Sequence, residues 1–427
     1  MMLTLETFKE NWKSFCHQQA LVIALSGGVD SIVLLHLLKS LKSQGAGFSL
    51  RAIHINHQLS PAADDWSQHC LSICSLWNVD YETYRVNVDL GLGIGLEAAA
   101  RKVRYQALID HCLPGESLVT AHHEMDQVET VLLQLVRGAG VRGLSGMSAE
   151  SRLNGCDILR PLLSVSRDNI ENYAKVNQLG WVEDSSNYNV MFDRNYMRYQ
   201  VLPKLQERWS ASLQTIARSA HHCSGVSSLL DYYLGEDLQL IKQGNQLSVS
   251  SFLSMPTLKH SHLLRAWLVD QGAPLPDTHQ LEVMVSDVIC AKNDAMPCLH
   301  WKGYELRRYD DLLYVMPKLG DFDSTSSYIW DLQDDLFIEP LGVTLYAQSE
   351  AVLWIKERYP SELVRVHFRQ GGEKLHRGDH HQSLRKYFQQ QRIPPWLRGR
   401  VPLLTVRNKL VFVWFSQNES DLCRSSI

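Results

Sequence analysis

Leu21-Val22-Ile23-Ala24-Leu25 runs directly into Ser26-Gly27-Gly28-Val29-Asp30-Ser31, and that into Ile32-Val33-Leu34-Leu35-His36-Leu37-Leu38. Five apolar residues in a row, bounded by glycines, predict a fully buried strand. The apolar positions after Ser31 recur at helical spacing, so the chain turns through the glycines straight into a helix. Strand, glycine turn and helix start together form an anion site. The first amides of the helix have no partners inside it, and its dipole adds about half a positive charge. Gly27 and Gly28 have no Cβ, so the backbone can close around a phosphate and adopt φ > 0. Ser26 and Ser31 add hydroxyl donors, and Asp30 is placed to hold Mg²⁺ on phosphate oxygens. No Gly-Lys-Ser/Thr follows, which excludes a Walker loop, and the spacing is not that of a dinucleotide fingerprint. The plainer alternative is a Gly-Gly turn joining any strand to any helix.

Downstream, short strands and helices alternate. Arg51 to His57 and Tyr81 to Val88 read as strands, Asp64 to Trp77 and Gly95 to Cys112 as helices. Leu118 to Ala121 starts another unit, with a helix over Glu124–Val136, and Ile158 to Gly180 supplies one more strand and helix. This alternation predicts a doubly wound parallel sheet with helices on both faces, binding its ligand beyond the carboxyl ends of the strands. A helix resumes near Asn195 and runs past Pro203, and a long connecting helix follows Ser212. From Leu247 to Met316 the pattern is two helices (Leu258 to Gln271, Thr278 to Ala291) and a hairpin over Trp301–Val315. The expected division is an α/β domain over 1–212, a mainly helical middle domain over 213–335 and a small α+β domain over 345–427.

The chain has 427 residues, too many for one ordinary core. Its 45% hydrophobic and 21% charged residues are those of a soluble globular protein, and no apolar run is long enough to span a membrane. The N-terminus has no apolar signal-peptide core. Nine scattered cysteines make no disulfide framework and point to a reducing, cytoplasmic setting. A net charge of −4 hides strong patterning. Asp321–Pro340 holds six acids and no Lys or Arg, whereas Val364–Lys409 holds eleven Lys/Arg against two acids. In that basic stretch Phe368, Tyr387, Phe388 and Trp396 interleave with arginines. The charge supplies salt-sensitive phosphate affinity, and the aromatics either stack bases or fill a small core. Trp396, after two prolines, fits the core better.

Three clusters near the expected strand ends carry chemistry. In Ala121-His122-His123-Glu124-Met125-Asp126-Gln127-Val128-Glu129, a helix starting at its head would put His122, Asp126 and Glu129 on one face. That trio suits metal binding, ammonium recognition or proton abstraction, or is simply an acidic, capped first turn. Arg101 and Arg104, three apart on a helix, either clamp phosphate or form a solvated face. Arg137 to Met147 is a Gly-rich basic loop that either grips RNA or merely connects.

SGGVDS resembles the pyrophosphate loop of the PP-loop ATP pyrophosphatases. SGGVDS, HINHQL, EAAARKVRY, AHHEMDQVET, RGAGVRGLSGM, RPLL, EDSSN and FDRNYMRYQVLP occur in the order and spacing of the tRNA(Ile)-lysidine synthases, and LRKYFQQQRIPPWLRGRVPLL resembles the C-terminal domain of that family's longer members. The resemblance implies a ligase forming a carbon–nitrogen bond. It implies ATP and Mg²⁺, free L-lysine and an isoleucine tRNA with a CAU anticodon. C2 of the wobble cytidine is adenylated and then attacked by the lysine ε-amine, giving lysidine, AMP and pyrophosphate and changing codon reading from AUG to AUA. It further implies that Ser26, Gly27, Gly28, Val29, Asp30 and Ser31 hold the pyrophosphate, with Asp30 at the metal. By the same resemblance His54 and Asn56 would lie beside the adenosine and Arg101 near the activated base. It likewise implies that His122, Asp126, Glu129 and Arg194 line the lysine and catalytic pocket. Met125 departs from the carboxylate or amide often found there. A PP-loop tRNA thiolase or another adenylating tRNA-modifying enzyme is the alternative; against the thiolase, Cys70 and Cys74 sit four apart in an amphipathic helix, where core packing explains them.

Overall fold

In the computed structural model Leu21 and Ile23 pack on one face of a sheet and Val22 on the other, all three buried. An uninterrupted apolar run is what a strand covered on both faces requires. The structure describes residues 2–58, 60–87, 96–184, 188–292, 295–377 and 380–415. The expected EDSSN motif lies partly outside them, as do the end of the expected third strand and the head of the expected third helix. The chain divides into two compact units, Met1–Tyr233 and Leu234–Ile427.

The first unit runs α1 (Leu5–Trp12), β1 (Ala20–Ala24), α2 (Val29–Ser43), β2 (Ser49–Asn56), α3 (Ala63–Trp77), β3 (Asp80–Arg85), α4 (Leu96–Asp110), β4 (Ser117–Val119) and α5 (Glu124–Val136). It continues through α6 (Val141–Leu144), β5 (Glu150–Leu153), β6 (Cys156–Leu159), α7 (Arg167–Val176), α8 (Asp193–Tyr196), α9 (Leu202–Arg208) and α10 (Ser212–Ile241), the last crossing the unit boundary. The sheet order is β3-β2-β1-β4-β6-β5, with β5 alone antiparallel. In the register of β1, Ala24 lies opposite Ile53 of β2, and Ile23 opposite Val119 of β4. The order reverses between β1 and β4, and the two strands diverge into their helices there, opening the crevice where α/β sheets bind ligands. Buried α2 and α7 side chains such as Leu34 and Ile170 cover the Leu21 face, and Leu108 and Ile109 of α4 cover the Val22 face.

Two differences from expectation have local causes. Glu150–Leu153 is an edge strand with a polar, mostly exposed sequence, so it carries no apolar pattern to read. Between α8 and α9 the helix widens into a π-helical turn over Met197–Val201. Pro203, just inside α9, has no N–H to donate back along the helix, and the turn absorbs that lost bond.

The second unit contains β7 (Lys242–Gln243), β8 (Gln246–Ser248), α11 (Val249–Ser254), α12 (Thr257–Asp270), α13 (Thr278–Val283), β9 (Cys298–Trp301), β10 (Tyr304–Tyr309) and β11 (Leu312–Pro317). The expected hairpin is the core of a five-stranded sheet, β7-β8-β11-β10-β9, against which the helices bury Trp267 and Phe252. Then follow β12 (Ser327–Trp330), β13 (Leu336–Ile338), β14 (Val343–Leu345), α14 (Glu350–Arg358), β15 (Val364–His367), β16 (Lys374–Arg377), β17 (His380–Ser383), α15 (Leu384–Gln390), α16 (Pro395–Arg398), β18 (Leu403–Val406) and β19 (Lys409–Val413). Here the open choice about the aromatics is decided. Phe368, Phe388 and Tyr387 are buried core, and Trp396 packs edge-on against Tyr314 with centroids 5.5 Å apart. Arg398 is buried too, donating from Nε to the Ile393 carbonyl and from Nη2 to the Tyr309 hydroxyl. Arg365, Lys374, Arg385, Lys386, Arg392 and Lys409 remain exposed.

Candidate active site

The turn after β1 has one residue that only glycine suits. Gly27 has φ +86°, and a Cβ there would lie 2.9 Å from Val182 Cγ2 and 3.1 Å from Cys70 Sγ. The Gly27 carbonyl also accepts from the Val182 amide at 3.0 Å, so the WVED segment backs the loop. Gly28, in contrast, has φ −72° and serves as the N-cap of α2 with no side-chain cap bond. The left-handed conformation expected at both glycines is needed at Gly27 alone. Ser31 is buried and staples the turn, donating from Oγ to the Gly28 carbonyl and accepting from the Ser26 amide. Ser26 is exposed, and Gly28 and Asp30 partly so, which leaves the loop accessible. We expect Gly27→Ala to lower the melting temperature and weaken ATP binding at least about tenfold, because it adds backbone strain and overpacking of about 1–3 kcal/mol each. Gly28→Ala should melt like the parent and lose affinity only; a binding titration beside a melting curve separates the two.

Asp30 occupies the second position of α2. Its Oδ2 accepts from Arg167 Nη1 at 2.7 Å, and its Oδ1 lies 3.7 Å from His123 Nε2 with no hydrogen-bond partner. Burial raises its carboxyl above the ordinary range, against the opposing pull of His123 and Arg167.

The histidine–carboxylate cluster starts differently from its sequence pattern. The helix begins at Glu124, capped by His123, so His122 lies just outside it. His123 Nδ1 accepts from the Met125 amide at 3.2 Å, which puts the ring proton on Nε2, facing Asp30 and Asp126. The His123 amide donates to Asp126 Oδ2 at 3.0 Å. His122 Nε2 lies 3.2 Å from Arg101 Nη2 and its Nδ1 2.9 Å from Thr120 Oγ1. Arginine can only donate, so Nε2 accepts and Nδ1 carries the proton. Burial, with Arg101, Arg160 and Arg194 nearby, pushes the His122 imidazole down to about 3 despite Asp126. The fold therefore holds His122 neutral, and stability conferred by that form is present above the unfolded value of about 6.5 and lost as pH falls below it. Between pH 7 and pH 5 this one group should remove about 2 kcal/mol. His122→Gln should flatten that slope in urea melts at the two pH values.

Glu129 is fully buried. Its Oε1 accepts from Arg198 Nε at 2.6 Å, while its Oε2 has no partner. Arg198 Nη2 also approaches Asp126 Oδ1 at 3.5 Å. Burial raises the Glu129 carboxyl, with Arg198 opposing and Asp126 adding to the rise. Burial works against charge at Asp126 as well, but His123, the His123 amide and Arg198 outweigh it and hold that carboxyl well below its ordinary range. Two neighbouring carboxylates with values pushed apart are a recognisable acid–base arrangement.

Arg101 lies half-buried over the Tyr105 ring at 5.2 Å, and desolvation together with Arg194 lowers its guanidinium. Two neighbouring cations that repel each other favour an anion beside them. Arg194 itself donates to Thr130 Oγ1 at 3.2 Å. Arg104 turns instead to His57 Nε2 at 3.1 Å, so Arg101 and Arg104 do not form a common clamp. His54 and Asn56 are buried and committed. His54 Nδ1 lies 2.8 Å from the Leu25 carbonyl, and Asn56 Nδ2 donates to Asp64 and Ser67, pinning the turn into α3. The basic loop is partly ordered as α6, with Arg142 paired to Asp231 and Arg137 to Asp193 at 3.2 Å. On the opposite side of α5's first turn, Glu124 and Gln127 face a separate cleft of about 680 Å³, walled also by Arg160 and His221.

His123, Arg167 and Arg198 were not among the sequence-derived site residues. Arg198 lies in the FDRNYMRY motif, but one helical turn beyond Arg194, and the π-helical turn is what aims it. Cys70 and Cys74 are buried free thiols in α3, as core packing predicted. In the second unit Cys298, His300 and Glu305 place ligand-type atoms within 4.8 Å of one another. The Arg307 fork takes both Glu305 oxygens, however, which makes this an ion-pair network.

A glycine turn at the switch point of a parallel sheet, with an Asp on the following helix and a buried carboxylate, Glu129, on the helix after β4, defines a nucleotide-dependent α/β enzyme of the PP-loop class. A family model described as a PP-loop domain matches residues 4–205, a TilS substrate binding domain matches 247–314, and a TilS substrate C-terminal domain matches 364–415. The tRNA(Ile)-lysidine synthase of Coxiella burnetii is 40% identical over 394 residues, 92% of this chain and 87% of that one. Those of Serratia proteamaculans (38%; 92% and 89% covered) and Actinobacillus pleuropneumoniae (37%; 96% and 100% covered) are similar throughout. The chain belongs to the tRNA(Ile)-lysidine synthase family. A U34-tRNA thiolase structure from Methanococcus maripaludis overlays 51% of this chain and 80% of its own at 18% identity and a TM-score of 0.42, too slight a likeness to argue from.

Proposed function

We propose that this protein ligates L-lysine to C2 of the wobble cytidine in an isoleucine tRNA with a CAU anticodon, using ATP to adenylate that carbon's oxygen first. The observation that carries the residue assignment is a pair of orphaned buried oxygens on one sheet edge, Asp30 Oδ1 and Glu129 Oε2. Each lacks a cationic partner on the side its chemistry needs one: a metal–phosphate complex at Asp30, an ammonium at Glu129.

The loop amides after Gly27 and the exposed Ser26 hydroxyl bind the phosphates, while Ser31 holds the turn's shape. Asp30 fits Mg²⁺, a hard cation that takes carboxylate oxygen, and would hold it through Oδ1. Mg²⁺ bound there supplies charge neutralisation on the phosphates. His54 and Asn56 frame the adenosine side by fixing the ends of the loop and of β2. Arg101 and Arg194 face the α-phosphate as the cytidine C2 oxygen attacks it and the bond to the β-phosphate breaks. In the second step the lysine ammonium is oriented by Asp126, which stays ionised, and gives its proton to Glu129, whose raised carboxyl makes it the better base. The freed amine attacks C2 and AMP leaves. His122, held neutral chiefly by burial, keeps Arg101 in place through Nε2. The exposed cations at 365–409 give the second unit a surface for tRNA phosphates, and its buried aromatics give that surface a rigid support. Within the described residues no helix is long and apolar enough to cross a membrane, and the eight described cysteines are free, in keeping with a cytoplasmic enzyme.

The test is one assay with ATP, labelled lysine and a defined CAU-anticodon transcript. Pyrophosphate release should require the tRNA, and label should enter RNA with release of AMP. A requirement for a sulfur donor in place of lysine would return the thiolase reading.

A further inference from the structure

We propose that Arg167 is the residue that receives the departing pyrophosphate, and that its bond to Asp30 is where it waits when nucleotide is absent. This rests on the ATP reading above. Arg167 is the first residue of α7 and Asp30 the second of α2, and neither helix has a side-chain cap bond at its N-cap. Their 2.7 Å ion pair thus joins two helix N-termini, each favouring an anion. Arg167 is anchored at its other end, where Nε donates to Glu171 Oε1 at 2.9 Å one turn along the same helix. The side chain remains 32% exposed, so Nη1 has room to leave Asp30 without uncovering a core.

The electrostatics then have one direction. Were Asp30 Oδ1 to hold a divalent cation, the carboxylate's charge would be neutralised and Arg167 Nη1 would lose its attraction to Oδ2. Glu171 keeps the arginine's stem in place, so the nearest anion for Nη1 is the phosphate group that arrived with the cation. Planar guanidinium donors match phosphate oxygens in pairs. During adenylation the bond between the α-phosphorus and the bridging oxygen breaks, and its electrons go to the β-phosphate. Arg167 stabilises that developing charge and transfers no proton.

Isothermal titration of the full chain with inorganic pyrophosphate and Mg²⁺ tests this. Arg167→Gln should bind pyrophosphate at least about tenfold more weakly, Arg167→Lys should recover part of the loss, and L-lysine affinity should stay within about twofold. Equal or tighter binding by Arg167→Gln overturns the proposal, because freeing Asp30 from a mere counter-ion would strengthen cation binding. A second measurement needs no variant. Phenylglyoxal labelling of Arg167, followed by mass spectrometry, should rise with Mg²⁺ alone and fall when pyrophosphate is added. Labelling that pyrophosphate leaves unchanged also overturns it. If the unmodified enzyme binds no pyrophosphate with Mg²⁺, the ATP reading itself is wrong and this proposal falls with it.

Discussion

Asp30→Asn should leave lysine binding intact and slow tRNA-dependent pyrophosphate release by about a thousandfold, roughly 4 kcal/mol of transition-state stabilisation. The substitution changes charge and almost no volume. Asparagine keeps an oxygen toward Arg167, but it cannot neutralise a divalent cation, so the phosphates lose their counter-charge. The melting temperature should hold or rise. Burial makes the ionised Asp30 costly to the empty fold, since its carboxyl is raised above the ordinary value. A variant that is inactive yet no less stable is the mark of a residue kept for function. Full turnover by Asp30→Asn, measured as pyrophosphate release, would remove the nucleotide site from this turn.

Glu129→Gln should separate the two half-reactions. The amide oxygen still accepts from Arg198 Nε, so the hydrogen bond and its shape are kept, and Asp126 at 3.5 Å remains as a carboxylate for the guanidinium. AMP transfer to the cytidine should proceed at close to the parent rate. Lysine transfer should fall by about 10²–10⁴-fold, the usual contribution of a positioned base, and the lysine KM should rise. Raising the pH, which deprotonates the amine in solution, should recover part of the rate in Glu129→Gln and less in the parent. Quenched-flow analysis that accumulates adenylated tRNA in the variant establishes the order of steps. If lysine transfer is unimpaired, Glu129 is only the counter-ion of Arg198. Glu129→Ala is the wrong probe, because it strands Arg198 in a buried site at a cost of about 3–5 kcal/mol.

Much of the proposed site was legible because its residues are neighbours in sequence or stand at strand ends. The glycine turn, Asp30 and the acidic helix start announce themselves by apolar runs broken by Gly and by charged residues at a helix N-terminus. His123, Arg167 and Arg198 do not, because nothing local distinguishes them from adjacent polar residues. Arg167 comes from a helix 137 positions away from Asp30 in the chain, and Arg198 reaches Glu129 across 69. The resemblance implies His54 and Asn56 beside the adenosine, and their hydrogen bonds go to the Leu25 carbonyl and to the start of α3.

From its sequence alone this protein is a parallel α/β sheet with an anion-binding turn after its first strand, followed by a second region ending in concentrated positive charge. Those properties are local: strand and helix periodicity, glycine's freedom at φ > 0, and composition. Only the tertiary structure decided that Gly27 and not Gly28 needs that freedom, since the constraint is Val182 pressed against it. Packing alone could assign the tail's aromatics to a core, and only three-dimensional proximity could set Asp126 and Glu129 to opposite sides of the ordinary carboxylate value. Burial and the nearest opposite charge fix a proton's affinity, and neither is written in the order of residues.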